Sequence, residues 1–272
     1  MDHNHQMLEP LLEALVSDIR AVLGGDLLGI YLYGSSVSGG FDPGVSDLDL
    51  VAVTSAEVEE MNLADLEQMQ LDIVRRNPEW TDRLEITYIG WTTLQSFRTS
   101  AGLLAVISPG EPFHVVGDVD EWLQNWYLVR ETGVTLYGVA AADVIPPIAR
   151  VEFVAAVVRY ADWLRKRNHN DLGPGSLAYA VLSLCRALRT VCTGSPCSKQ
   201  EGAAWARERM PKWVWLIDAA LRCRMLRGAT GFDDELTRAA AETFIGLLAD
   251  EITGLCQLMC PPRPDAGVAQ PE

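Results

Sequence analysis

The spacing of apolar residues changes repeatedly along the first part of the chain, and each change predicts a different element. Apolar residues recur at helical spacing over 8–23, which predicts an amphipathic helix. Two short apolar runs, 27–33 and 47–54, predict buried strands separated by a glycine-rich loop. Helical periodicity returns over 55–76, and the alternating segment 83–89 predicts a third strand. This order of elements indicates a small mixed sheet covered by helices.

The rest of the chain divides into an irregular stretch and a helical half. Residues 91–150 contain several prolines, and they predict a connecting region with one or two short helices. Helices are then expected over 151–168, over 177–191, after a capping box formed by Ser198 and Glu201, over 212–226 and over 233–257. The predicted fold class is therefore α+β. An N-terminal domain with its connecting region (1–150) precedes an all-α helical bundle (151–260) and a disordered tail (261–272).

A Gly-Ser pair and two closely spaced aspartates are the most informative polar residues. Gly34-Ser35 follows the first predicted strand, and after eleven further residues Asp47-Leu48-Asp49 opens the second. Because side chains alternate along a strand, Asp47 and Asp49 are expected on one face. Two adjacent carboxylates repel each other unless a cation lies between them. Mg²⁺ is the natural cation, because it is hard and is typically bound by one or two carboxylates and by substrate phosphate oxygens. The hydroxyl of Ser35 and the N–H groups of its loop are suitable phosphate donors.

A third carboxylate, Glu85, stands in the third predicted strand. If this strand pairs beside the second, Glu85 faces the same side as Asp47 and Asp49. A carboxylate beside a bound metal either ligates it or acts as general base on an attacking hydroxyl. Each feature alone is weak, since Gly-Ser is usually a turn and Asp-x-Asp often caps a strand. Their combination in this order predicts a nucleotide-dependent transferase.

The charge of the chain limits the classes of partner. The formal net charge is -15 and the pI is about 4.7, which makes the chain a poor candidate for nucleic-acid binding, because phosphate contacts need clustered Lys and Arg. Such a field attracts a cationic small molecule, although acidity also serves solubility alone. The N-terminus lacks the pattern of a signal peptide, and no apolar run has the length of a membrane helix. We expect a cytoplasmic monomer without membrane or nucleic-acid partners.

The pattern Gly-Ser, spacer, Asp-hydrophobic-Asp resembles the nucleotidyltransferase superfamily with the polymerase-beta-like fold. Within that superfamily, segments 31–53, 83–89 and 179–206 are similar to the aminoglycoside adenylyltransferases that inactivate streptomycin and spectinomycin. The resemblance implies transfer of AMP from ATP to a hydroxyl of an aminoglycoside or aminocyclitol, with release of pyrophosphate. It also implies a role in antibiotic resistance.

The resemblance implies roles for individual residues. Asp47 and Asp49 would ligate Mg²⁺, and Glu85 would be the catalytic base. Nucleotide binding is assigned to Gly34, Ser35, Ser46, Arg186 and Lys199. Arg186 and Lys199 match basic positions that reach the triphosphate, and the alternative for both is an ordinary cation on a helix surface.

One departure from the family bears on the acceptor. The streptomycin-modifying members carry an acidic residue ten positions before the matched arginine, where this chain has Ser176. The nearest acid upstream is Asp171, and Trp163 is out of register with the tryptophan that those enzymes use for streptomycin. The acceptor is therefore open among other aminoglycosides, aminocyclitols and other hydroxylated metabolites.

Three other functions are compatible with parts of the pattern. The chain would adenylylate a protein if the stretch Trp122–Tyr127 were an exposed docking face rather than core. It would be a nucleotide-binding module without transfer activity if the carboxylates did no chemistry, but a pure binder has no need of all three. A nucleic-acid enzyme of the same superfamily is disfavoured by the net charge of -15.

Overall fold

The computed structural model describes residues 3–99, 102–117, 119–167, 172–228 and 231–259. The chain divides into two compact units, Met1–Ala156 and Val157–Glu272. The predicted tail 261–272 lies outside the described residues. The helices are α1 (His3–Leu23), α2 (Leu63–Arg76), α3 (Trp91–Gln95), α4 (Leu123–Thr132), α5 (Ala141–Val144), α6 (Arg150–Lys166), α7 (Pro174–Thr193), α8 (Lys199–Arg209), α9 (Val214–Met225) and α10 (Glu235–Met259).

A mixed sheet forms the centre of the first unit. Its strands in the described residues are β1 (Leu27–Tyr33), β2 (Leu48–Thr54), β3 (Leu84–Gly90), β4 (Leu104–Ile107), β5 (His114–Val116) and β6 (Val134–Gly138). They are arranged in the order β5-β4-β3-β2-β1-β6. Among these pairs β2 and β3 run parallel, and the other neighbours run antiparallel. Helix α2 connects the two parallel strands, which is the crossover that parallel pairing requires.

Each face of this sheet has its own apolar core, because the central strands are buried on both sides. One core packs the stripe of α1 and the buried face of α2 against alternate strand residues, among them Leu48, Leu50 and Ile86. The other contains Tyr31, Val51, Ile89 and residues of α3, α4 and α5. Replacing a fully buried leucine such as Leu50 with alanine is expected to cost about 2–5 kcal/mol. Both faces of β2 are therefore strongly constrained.

The prediction of a connecting region over 91–150 is wrong in one respect, because this region also supplies three strands. Strand β4 pairs with β3, β5 pairs with β4, and β6 returns to pair with β1. These strands contain three to five residues each, so the alternation that predicts a strand is too short to stand out. The sheet is consequently wider than the three strands expected from the sequence.

The second unit is helical, as predicted. Its long central helix, α7, packs against α8, α9 and α10. The face that α7 buries is almost entirely aliphatic and includes Leu177, Val181, Leu184 and Leu188. Gly194 ends the helix in the left-handed conformation at φ +64°, which is the usual role of a C-terminal glycine. Among the described helices, none has the length and apolar character that a bilayer span requires.

Candidate active site

Two of the predicted site carboxylates lie next to each other in the sheet. Strands β2 and β3 pair in a register that places Asp49 opposite Glu85. Neighbouring strands are about 4.8 Å apart, and residues in register point to the same face. Both strands have the same burial pattern, in which the second residue alone is half-buried and the others are buried. The predicted pairing of Glu85 beside the second strand is therefore confirmed for Asp49.

Asp47 lies one residue before β2 rather than within it, and it is half-buried. The loop that carries it is tied back on itself at Ser46. The Ser46 hydroxyl accepts a hydrogen bond from the Asp42 backbone N–H at 2.9 Å, and the Ser46 N–H donates to the Asp42 carbonyl at 2.9 Å. Ser46 was predicted to bind nucleotide. It is 2% exposed, and its two hydrogen bonds with Asp42 hold the loop closed.

Gly34 allows the Asp49 carboxylate to lie directly against the backbone at the end of β1. Tyr33, the last residue of β1, is in register with Asp49, and Gly34 follows at φ +72°. A Cβ atom at Gly34 would be 2.8 Å from Cγ of Asp49 and would overlap one carboxylate oxygen. Ser35 continues the short turn Gly34–Ser36 and is half-buried. Gly34, Ser35, Asp49 and Glu85 thus belong to one end of the central strands.

Arg83 is a residue at this end of the sheet to which the sequence analysis assigned no function. Its side chain is buried at 4% exposure, and its Nε and Nη2 both donate to the Ser46 carbonyl, at 3.1 and 2.6 Å. Its Nη1 donates to the Glu79 carbonyl at 3.2 Å, and the guanidinium lies 4.3 Å from the centroid of the Trp80 ring. The backbone carbonyl of Arg83 also accepts the Leu48 N–H at 2.8 Å.

The donor set at these strand ends fits a hard divalent cation. Asp47 and Asp49 supply carboxylate oxygens, and Gly34 leaves space for one of the carboxylates where a side chain would displace it. Within the described residues, no three His, Cys, Asp or Glu side chains form a group that would hold a metal ion alone. Mg²⁺ needs no such group, since it is commonly held by one or two carboxylates together with substrate phosphates and water.

The two predicted phosphate-binding cations lie on neighbouring helices of the second unit. Lys199 is the first residue of α8, and its Nζ lies 4.0 Å from the ring centroid of Tyr179 on α7. Arg186 is half-buried on α7, seven residues after Tyr179, and therefore on the same face of that helix. The Tyr179 hydroxyl is 2.8 Å from the Tyr160 hydroxyl. Burial, with Tyr179 beside it, raises the pKa of Tyr160 well above its usual value.

The start of α8 is fixed by contacts that include the predicted capping box. Ser198 Oγ accepts the Glu201 N–H at 3.1 Å, and the Glu201 carboxylate accepts the Ser198 N–H at 2.8 Å. The latter hydrogen bond lowers the pKa of Glu201. A Cβ atom on Gly202 would be 2.5 Å from Cα of Arg186, so this glycine lets α8 pack directly against α7. The capping box is confirmed, and Gly202 is a contact that no spacing pattern indicated.

The remaining predicted positions have simpler surroundings. Trp126 is fully buried and stacks on Trp122, while Tyr127 stacks on Phe153 at 4.1 Å, so the stretch Trp122–Tyr127 contributes to core packing. Ser176 is exposed in the first turn of α7, and Trp163 is half-exposed and stacks on Tyr160. Asp171 lies outside the described residues. None of these observations adds a residue to the candidate site formed by the carboxylates or to the pair of predicted phosphate-binding cations.

A separate cavity of about 700 Å³ opens between α1 and β6 in the first unit. Residues of α1 and of β6 line it, among them Glu9, Glu13, Arg20 and Tyr137. The Arg20 guanidinium lies 4.6 Å from the centroid of the Tyr137 ring. The predicted site residues are not among the residues that line it, so the cavity is distinct from the strand ends described above.

Comparisons with known families cover both units. Residues 15–101 match the family model described as the nucleotidyltransferase domain. Residues 143–250 match the aminoglycoside adenylyltransferase C-terminal domain. The chain is therefore a nucleotidyltransferase. The two matched segments are thus a nucleotidyltransferase domain and the C-terminal domain of the aminoglycoside adenylyltransferases, as the resemblance in the sequence implied.

Individual relatives agree with this assignment. A spectinomycin 9-adenylyltransferase of Campylobacter jejuni is 26% identical over 73% of this chain and 78% of its own length. An aminoglycoside (3'') (9) adenylyltransferase of Klebsiella pneumoniae is 26% identical over 89% of this chain and 94% of its own length. The crystal structure of the spectinomycin adenyltransferase AAD(9) from Enterococcus faecialis, solved with ATP and spectinomycin, has a TM-score of 0.66 at 18% identity. The matched region covers 90% of this chain and 99% of the chain in that structure, and this similarity supports the α+β fold.

Proposed function

We propose that this enzyme transfers AMP from ATP to a hydroxyl of an aminoglycoside or aminocyclitol, releases pyrophosphate and confers resistance to that antibiotic. The observation that supports the proposal best is the register of Asp49 with Glu85, which puts a metal-type ligand beside a general-base candidate. The relatives named above act on spectinomycin and related aminoglycosides. The net charge of -15 favours association with a cationic acceptor of this class.

Asp47 and Asp49 would hold Mg²⁺ as two carboxylate ligands. When bound, the metal would neutralise charge on the phosphates and stabilise the attacking and leaving oxygens of an in-line displacement. Gly34 and Ser35 would present backbone N–H groups and a hydroxyl to a phosphate oxygen. Ser46, which precedes Asp47 in the same loop, is also assigned to nucleotide binding. In these assignments carboxylate oxygens would bind the metal, and N–H and hydroxyl groups would bind phosphate oxygens. Such a set suits a polyphosphate substrate.

Glu85 would act as general base. Its carboxylate would accept the proton of the acceptor hydroxyl as that oxygen forms a bond to the α-phosphorus of ATP. The bond between the α-phosphorus and the bridging oxygen to the β-phosphate would break, and pyrophosphate would leave. In this assignment Glu85 remains a base rather than a third metal ligand.

Arg186 and Lys199 would bind the β- and γ-phosphates. Lys199 lies at the N-terminal end of α8, where the helix dipole is positive and a bound anion is favoured. The ring of Tyr179 under its ammonium restricts the directions in which the side chain can point. The position at the helix N-terminus favours an anionic ligand, and the contact with the ring limits where that ligand could lie.

The experiment that tests the proposal is pyrophosphate release from ATP and Mg²⁺ with a panel of aminoglycosides and aminocyclitols, including spectinomycin and streptomycin. We expect release with spectinomycin, and we expect none with streptomycin because Ser176 replaces the acid of the streptomycin-modifying enzymes. Glu85→Gln should abolish release while retaining Mg-ATP binding. Tight Mg-ATP binding without release for any acceptor would contradict the assigned substrate class, and full activity of Glu85→Gln would contradict the assigned base.

A further inference from the structure

We propose that Arg83 is a positioning residue that sets the direction of the Asp47 carboxylate by holding the peptide groups on both sides of it. This inference rests on the proposed role of Asp47 as a metal ligand. Neither the family models nor the names of the relatives assign a function to Arg83. The contacts of one buried guanidinium and one backbone carbonyl support the inference.

The burial of Arg83 is costly unless its hydrogen bonds compensate for it. Burying a cation costs roughly several kcal/mol of hydration free energy. A buried arginine is therefore tolerated only where its N–H donors make hydrogen bonds of good geometry. At 4% exposure, Arg83 directs two of its nitrogens to the Ser46 carbonyl and a third to the Glu79 carbonyl. Charge-assisted hydrogen bonds of this kind are about twice as strong as neutral ones. The Ser46 carbonyl is therefore held more firmly than an ordinary loop carbonyl.

The same residue also holds the peptide group on the other side of Asp47. Its backbone carbonyl accepts the Leu48 N–H at 2.8 Å. The Ser46 carbonyl belongs to the peptide plane before Asp47, and the Leu48 N–H belongs to the plane after it. Because peptide groups are planar, fixing both planes leaves little freedom in the φ and ψ angles of Asp47. The direction of its Cα–Cβ bond follows from those angles.

Arg83 connects this loop to the strand that carries the general-base candidate. It stands two residues before Glu85, immediately before β3 begins at Leu84. A loop can carry a metal ligand accurately only if a rigid element supports it, and here the support is the N-terminal end of the central strand β3. One arginine thereby fixes the geometry of Asp47 relative to the strand of Glu85. Groups that orient a metal ligand commonly change metal affinity by about 10–100-fold when they are removed.

Lysine cannot replace this contact fully. The planar guanidinium directs Nε and Nη2 to one carbonyl while its face covers the Trp80 ring, whereas an ammonium is a single point charge. The conservative variant Arg83→Lys therefore keeps the charge and loses the paired donation. Its metal-dependent gain in ATP affinity is expected to lie between that of the wild type and that of Arg83→Met.

The test measures the affinity of the full chain for ATP by calorimetry, once with Mg²⁺ and once with EDTA. The ratio of the two dissociation constants reports metal binding at the nucleotide site. We expect Arg83→Met to reduce this ratio by about 10-fold or more, with the affinity in EDTA changed by less than about 2-fold.

Arg130→Met is the matched control. Arg130 lies on α4 and also donates to backbone carbonyls, those of Ala142 and Ile145, so its loss removes a similar contact elsewhere in the first unit. This control should destabilise the protein without changing the metal-dependent ratio. An unchanged ratio in Arg83→Met, or an equal reduction in Arg130→Met, would overturn the inference. If Arg83→Met does not fold, Arg83→Lys decides, with a reduction of about 3-fold or more expected and a wild-type ratio overturning the inference.

Asp47→Asn separates this inference from the proposed function. If the wild-type protein shows no metal-dependent gain in ATP affinity, or if Asp47→Asn retains it, the metal site itself is wrongly assigned. If the gain is present, is lost in Asp47→Asn and persists in Arg83→Met, the positioning role alone is wrong.

Discussion

Asp49 and Glu85 lie side by side on a sheet of the first unit, whereas Lys199 begins a helix of the second unit. Both placements are electrostatically unfavourable for the protein alone. Like charges opposite each other on neighbouring strands are destabilising, and so is a cation at the positive end of a helix dipole. In the proposed function the two placements have different purposes, since the carboxylates would attract a metal cation and the lysine would attract phosphates.

The supports of the two regions also differ. The carboxylates are carried by strands with buried neighbours on both faces, and Gly34 closes directly on Asp49. Lys199 has a long side chain that lies over an aromatic ring. Rigid support suits groups that must be accurately placed in a transition state, while a longer side chain suits charge neutralisation. We therefore expect changes at the carboxylates to lower kcat, together with any loss of metal-dependent ATP affinity. Changes at the cations are expected to raise the KM for ATP and to leave kcat nearly unchanged.

The largest effect is expected for Asp49→Asn. Loss of a metal ligand should lower kcat by about 1,000-fold, because the charge of the transferring phosphoryl group is no longer neutralised. In EDTA the repulsion between Asp49 and Glu85 is also removed, which acts to raise the Tm. Steady-state kinetics and thermal unfolding measure the two quantities. A variant that kept its kcat and raised the KM for ATP alone would break the distinction between the two regions.

Gly34→Ala should lower kcat by about 10–100-fold, because its Cβ displaces the Asp49 carboxylate. It should also cost about 1 kcal/mol of stability, since Gly34 is in the left-handed region at φ +72°. Gly39→Ala is the control: its φ is +76°, but a Cβ atom there meets nothing within 4 Å. Equal losses of kcat in both variants would show that backbone strain, and not the carboxylate, is responsible.

Lys199→Met should raise the KM for ATP by about 10-fold and leave kcat within a few-fold, because a charge-assisted contact to phosphate is lost. Tyr179→Leu removes the ring under the ammonium and should raise the same KM by about 3-fold. Lys212→Met, an exposed lysine of the same unit, is the control and should change neither parameter. A fall in kcat without a change in KM would assign Lys199 to the chemical step instead.

The smallest effect concerns the start of α8. Ser198→Ala should destabilise the second unit by about 1 kcal/mol, because the capping hydrogen bond is lost. The pKa of Glu201 is lowered in the folded protein, so its contribution is complete above its unfolded pKa of about 4.3 and is lost as the pH falls through the folded value. Thermal unfolding of Glu201→Gln should therefore differ from wild type at pH 7, and the difference should shrink below about pH 4.

Glu208→Gln, at the other end of α8, is the comparison for this pH series. It removes one carboxylate of the same helix that is not part of the capping box. A difference between Glu201→Gln and the wild type that persists at low pH would mean that the capping carboxylate is not the group that titrates.

The parts of the fold that the sequence predicted have strong local signals. Strand β1 was predicted at its observed bounds because an apolar run of its length between glycines has few alternatives. The opposition of Asp49 and Glu85 followed from alternation once β2 and β3 were neighbours. The start of α8 was indicated by its capping box, in which the required residue types are three positions apart.

The parts that were missed depend on contacts between distant segments. Strand β6 is specified by pairing with β1, about a hundred residues earlier in the chain. Arg83 acts on a carbonyl 37 positions away, and a single arginine before a strand gives no sign of such a partner. The tyrosine under Lys199 is twenty residues away on another helix. Spacing patterns describe one segment at a time, so contacts of this kind become visible only in the folded chain.

The parallel register of β2 and β3 has a consequence for how this enzyme can diversify. The alternation that buries Leu48 and Leu50 is the same alternation that presents Asp49, and a shift by one residue would exchange the two sets. Selection for folding and selection for nucleotidyl transfer therefore act on alternate positions of the same strand, and its register cannot change for one without the other. New acceptors are accessible only through changes elsewhere, so a lineage of such enzymes would be expected to keep its strands and vary its loops and helices.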